Sequence, residues 1–148
     1  MNKREARQIA LHMIFEMEFK SQDEWGQIMD IRMGPDVFFT LSDEMDFYAK
    51  KIPDVYSKYI KDCVDGVFAH VNELDAHISE LSKEWDIKRI SKVSLAILRL
   101  SIFEMKYTDV PVGASINEAV DLAKDYDSEE AGSFVNGILG SFDRQRNG

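Results

Sequence analysis

The chain is poor in residues that cross-link or interrupt a backbone: one cysteine, three prolines and eight glycines in 148 residues. A single thiol, Cys63, excludes an internal disulfide and any multi-cysteine metal site. Its neighbours Asp62 and Asp65 raise a thiol's pKa, so a buried, inert role is expected for it. The chain also lacks a long apolar run, because Arg99 and Glu104 interrupt the best candidate well short of the ~20 residues a bilayer span needs. No signal peptide is expected, because Glu16 and Glu18 break the stretch after the basic start. A soluble, cytoplasmic protein is expected. Positive charge is the last scarcity, with 18 Lys and Arg against 27 Asp and Glu, a net of −9. That balance argues against strong stand-alone binding of nucleic acid, whose affinity grows with each cation set against a phosphate.

Catalytic patterns are equally thin. His12, His70 and His77 stand on separate segments without metal-ligand spacing. No glycine-rich phosphate loop, nucleophile elbow or zinc-protease pair occurs. The expectation is a non-enzyme with no cofactor and no metal.

What is present is helical periodicity over nearly the whole length, with 45% apolar content, enough for a core in one domain spanning 1–148. Over residues 4–20, Ala6, Ile9, Ala10, Met13 and Met17 share one face of a first helix, with Leu11 and Phe15 beside it. Residues 21–46 carry breaks at Gly26 and Gly34-Pro35, with one short helix around Glu24–Met33. Pro53 starts a helix running to about His70, and Asn72 is a candidate cap for the next. Ser91 opens a helix through Tyr107 that is apolar nearly all round, so it is expected at the centre of the fold. Arg99 within it calls for a carboxylate partner, and Glu104 is wrongly spaced to be one. Asp109-Val110-Pro111 ends that helix. Ser115 and Glu118 then form a capping box, and Ser128 with Glu129 and Glu130 starts the last helix. The fold class is all-α, six or seven helices.

Charge distribution shows more than its total. Residues 1–7 set Lys3, Arg4 and Arg7 against Glu5 alone. Residues 82–92 set Lys83, Lys88, Arg89 and Lys92 against Glu84 and Asp86. The first group sits at a helix start, where cations oppose the helix dipole. Lys3, Arg4 and Arg7 gather on the flank of the first helix's apolar face, and Phe15 beside them offers a ring of the kind single-stranded RNA readers stack on bases.

Several strings together resemble the NusB family of bacterial transcription antitermination factors. They are Arg4-Glu5-Ala6-Arg7 with Ala10-Leu11, Ile97-Leu98-Arg99 before Glu104, Asp109-Val110-Pro111, Ile116-Asn117-Glu118-Ala119-Val120 before Leu122-Ala123-Lys124, and Phe134-Val135-Asn136-Gly137-Ile138-Leu139-Gly140. The resemblance covers nearly the whole chain, and residues 21–52 depart from it most. It implies about seven helices in two packed three-helix subdomains. It also implies binding of boxA RNA in nascent ribosomal transcripts together with NusE, a small-subunit ribosomal protein, within an RNA polymerase antitermination complex that holds other Nus factors. By the same resemblance Lys3, Arg4, Arg7 and Phe15 are nominated as RNA contacts, with Lys88, Arg89 and Lys92 on a second segment. NusE is placed loosely on the later helices. Monomer and homodimer both stay open. The acidity leaves one rival, a NusB-like helical protein-interaction module with little RNA binding of its own. Asn136-Gly137 is expected to serve close helix packing.

Overall fold

The computed structural model describes residues 2–19, 52–82 and 87–147. The short helix expected at Glu24–Met33 and the cation Lys83 lie outside them. The described residues form six α-helices and no strand: α1 (Lys3–Met17), α2 (Asp54–Ala69), α3 (Val71–Leu81), α4 (Lys92–Tyr107), α5 (Val112–Tyr126) and α6 (Glu129–Asn147), with a 3₁₀ turn at Ile87–Arg89. The all-α expectation holds. No described helix is long and apolar enough to cross a membrane. The chain separates into two compact units, Met1–Phe68 and Ala69–Gly148.

In the first unit, Asn2 caps α1 by accepting the Glu5 amide on its side-chain oxygen at 2.8 Å. The expected stripe is buried at Ala6, Ile9, Ala10 and Met13, and it widens to include Leu11 and Ile14. Helix α2 begins just after Pro53, whose carbonyl accepts the amides of Tyr56 and Ser57. Its core face is Ile60, Cys63, Val64 and Val67, so the lone thiol is buried as expected.

In the second unit α4 is the axis. It is buried without interruption from Ser94 to Met105, and α3, α5 and α6 all pack on it. Ser91 caps α4 by accepting the Ser94 amide, and Ser128 caps α6 by accepting the Ala131 amide, both as the sequence predicts. Arg99 meets its carboxylate on α3: its Nε and Nη2 each donate to Asp75 at 2.8 Å, a two-point bond that ties the helices. A second tie is made by Glu73 on α3, which accepts from Lys106 and from the Tyr107 hydroxyl. These donors hold its carboxyl down at about 2, Lys106 being the largest cause.

Three local expectations fail for identifiable reasons. Helix α5 starts at Val112, directly after Pro111, because proline's fixed φ sets the first turn there. Ser115 therefore lies inside the helix, its amide bonded to the Pro111 carbonyl. Its hydroxyl is shared with that of Ser101 on α4 at 2.8 Å instead of capping. Asn72 is likewise inside α3, whose boundary residue is His70, so α2 and α3 are joined through a single residue. Gly137 is exposed, and a Cβ built there meets nothing within 4 Å, so close packing is not what that glycine serves.

Candidate nucleic-acid interface

The first unit brings two of its three nominated cations to the surface. Lys3 and Arg4, in the opening turn of α1, are exposed. The Lys3 ammonium lies over the ring of Tyr59 on α2, 3.6 Å from its centroid. Arg7 does not join them: it is 4% exposed. The reason is its register, since Arg7, Leu11 and Ile14 fall on one line of the helix, and that line is core. Helical spacing alone puts Arg7 on the flank of the apolar stripe, and the buried face is wider than that stripe by the line of Leu11 and Ile14.

The aromatic reading shifts in a similar way. Phe15 is half-buried and meets Phe19 edge-on, ring centroids 5.3 Å apart at 81°. Phe19, just past the end of α1, is the ring that reaches solvent, 62% exposed. Its spacing of four from Phe15 was the available signal for it. His12, half-buried on α1, has its imidazole pKa lowered by burial, so it favours the neutral form.

The second unit presents Lys88 and Arg89 on the 3₁₀ turn and Lys92 in the first turn of α4, all exposed. Ile90, just after the turn, is buried and anchors the segment, while Lys88, Arg89 and Lys92 around it face solvent. Beside them opens a cavity of about 320 Å³ whose wall includes Arg89, Ile90, Ser94, Asp127, Glu130 and Phe134. The Asp127 carboxylate accepts from the Ser91 and Ser94 hydroxyls at 2.5 and 2.9 Å. It thereby joins the loop between α5 and α6 to the start of α4, where a negative charge is favoured by the helix dipole. The mouth thus combines a guanidinium, an aromatic ring, hydroxyls and carboxylate acceptors. Those groups suit a nucleobase on a sugar-phosphate chain: a cation for phosphate, a ring to stack on, polar groups for base edges. Asp127 and Glu130 were not singled out as site residues from the sequence, where acidic positions read as solvated surface.

Among the described residues no group of three or more His, Cys, Asp and Glu side chains is arranged to hold a metal ion.

Comparison with known proteins finds relatives along nearly the whole chain. The model of the NusB family matches residues 4–144. The transcription antitermination protein NusB of Acetivibrio thermocellus is 42% identical over 141 residues, covering 95% of this chain and 87% of that protein. Its counterpart in Thermoanaerobacter pseudethanolicus is 37% identical over 144 residues, covering 97% and 91%. Among solved structures, the chain is similar to one in a crystal structure of antitermination factors NusB and NusE in complex with dsRNA, with a TM-score of 0.71 and 27% identity over 94% of this chain and 93% of that one. It is also similar to T. maritima NusB, with a TM-score of 0.75 and 26% identity over 95% and 89%.

Proposed function

The chain belongs to the NusB family, and we propose that it is a transcription antitermination factor whose two exposed basic segments contact boxA RNA in company with NusE. The observation that carries this reading is the placement of charge. On a chain of net charge −9, Lys3 and Arg4 cluster at one helix start, and Lys88, Arg89 and Lys92 cluster beside a cavity containing Phe134. The likeness to a chain found with NusE and double-stranded RNA supports the same assignment. Arg7, being buried, serves by holding α1 in place rather than by reaching phosphate. Phe15 acts as the support for Phe19. With so few cations the chain depends on NusE for tight RNA binding, and the pair then joins the RNA polymerase antitermination complex with the other Nus factors.

Fluorescence anisotropy with labelled boxA RNA and a scrambled control, each with and without NusE, tests the proposal. Binding of boxA by the pair, at least tenfold tighter than by the chain alone or by the pair to scrambled RNA, is expected. Equal, weak binding of both RNAs by the pair would favour the protein-interaction module instead. Neutralising Lys88, Arg89 and Lys92 together is expected to lower the steepness of the salt dependence by about two, at ~0.7 per single-strand phosphate contact.

A further inference from the structure

We propose that Tyr59 is a positioning residue of the RNA interface, holding the Lys3 ammonium ready for a phosphate; this rests on the reading of Lys3 as an RNA contact. From the sequence, Tyr59 reads as part of the apolar stripe of α2, with no role toward a ligand. In the structure it is half-buried, and one face of its ring carries the Lys3 ammonium at 3.6 Å.

Lys3 needs such help. It is the first residue of α1, where the helix dipole repels a cation, and it is exposed, so nothing in its own helix fixes its long side chain. An unrestrained lysine gives up much of its rotamer freedom when it grips a phosphate. A ring face removes part of that loss beforehand, because the ammonium is attracted to the negative face of the aromatic quadrupole. Gripping by the ring does not block gripping by RNA. An ammonium has three N–H donors, and only one side of it can face the ring, so the solvent side stays open to a phosphate oxygen. What α2 contributes here is the ring and not charge from its neighbour: Lys58, next in sequence, is paired with Asp62 at 2.5 Å. The stem of Lys3 is thereby directed across from α1 toward α2, giving the ammonium one place instead of many.

The test is a double-mutant cycle read by boxA RNA anisotropy on the full chain with NusE. Lys3→Gln and Tyr59→Leu are measured singly and together, with Tyr59→Phe as the conservative variant. A cation–ring contact at an exposed site corresponds to about a two- to fivefold change in affinity. Tyr59→Leu is therefore expected to weaken binding about two- to fivefold, Tyr59→Phe to restore it, and the double variant to bind like Lys3→Gln alone. By NMR, the Lys3 ε-methylene protons are expected upfield in the native chain and in Tyr59→Phe, and at their ordinary position in Tyr59→Leu. Should Tyr59→Leu lower the melting temperature, Tyr59→Met fills the same site with an unbranched apolar side chain and takes its place in the cycle. A loss with Lys3→Gln but none with Tyr59→Leu overturns the positioning role and leaves the RNA reading intact. An equal loss from Tyr59→Leu in the Lys3→Gln background also overturns it, since the ring would then act without the cation. No loss from Lys3→Gln overturns it together with the assignment of the N-terminal segment to RNA.

Discussion

Breaking the Arg99–Asp75 bond from its two ends should have unequal consequences, and the inequality follows from burial. Arg99 is 6% exposed, within a helix buried on every side, whereas the Asp75 side chain keeps 29% of its surface in water. Asp75→Ala removes the two-point acceptor of a guanidinium that lies in the core. Removing one partner of a buried ion pair costs about 3–5 kcal/mol in general, and the lower end applies because water can approach the vacated place. For a chain of this size each kcal/mol moves the melting temperature by about 2–4 °C, so a fall of roughly 6–12 °C is expected. Arg99→Met removes the buried charge, keeps most of the apolar stem volume and leaves Asp75 to be hydrated, so its cost should stay under about 1.5 kcal/mol. The double variant should resemble Arg99→Met, far above Asp75→Ala. Thermal melts followed by circular dichroism, with urea titrations for the free energies, measure all three. Finding Arg99→Met as damaging as Asp75→Ala would refute the reasoning, since it would mean that the bond itself, and not the burial of the cation, sets the cost.

Other expectations can be checked with the same equipment. Arg7→Ala should lower the melting temperature by several degrees because Arg7 is buried, while Arg4→Ala should leave it within about 1 °C and weaken RNA binding instead. Gly137→Ala should stabilise the chain by about 0.5–1 kcal/mol in a urea titration, because the added methyl is unopposed and the unfolded chain loses freedom. The Glu73 carboxyl is held at about 2 in the folded chain against an ordinary 4.5, so its contribution is complete above pH 4.5 and is lost as pH falls toward 2. Being partly exposed it is screened, and the native chain should exceed Glu73→Gln by at most about 1 kcal/mol at neutral pH, with the gap closing through that window.

The parts of the fold legible in the sequence were those with one physical solution. A helix as apolar as α4 has nowhere to go but the centre, and a cation inside it must find a carboxylate, so both the placement of α4 and the existence of a partner for Arg99 could be stated in advance. Which carboxylate it would be could not, because Asp75 is 24 residues away. Capping at Ser91 and Ser128 was readable because nothing near either residue competes for the helix start. At Ser115 the same logic failed: Pro111, four residues earlier, is a stronger starting signal, and the hydroxyl then had a second use against Ser101.

Legibility was lower at the interface, for a related reason. An arginine reads as surface in any pattern, yet its stem is apolar, and only the neighbouring Leu11 and Ile14 show that Arg7 lies on the core line. Tyr59 reads as core because a tyrosine at an apolar spacing usually is; the cation over its ring comes from another helix and leaves no trace in local sequence. The exposed cations of the 3₁₀ turn were readable because a short run of Lys and Arg cannot be buried together.

Charge placement also predicts how RNA binding by the chain alone should depend on salt. At physiological ionic strength the screening length is about 8 Å, so a phosphate at Lys3 or Arg89 responds to the local excess of cations and little to the acidic residues elsewhere. Lowering the salt strengthens each cation–phosphate contact through counterion release. It also lengthens the screening distance to about 30 Å at 0.01 M, so acidic residues farther from the contact are felt and the net charge of −9 then repels the RNA. The two effects oppose each other. The logarithm of affinity for boxA RNA should therefore rise linearly as salt falls from about 0.3 to 0.1 M and flatten or turn over below roughly 0.03 M. Anisotropy titrations across that range measure the curve. A straight line down to 0.01 M would show that the acidic bulk of the chain is invisible to the RNA even unscreened, and would refute the argument that local cations succeed here because screening isolates them.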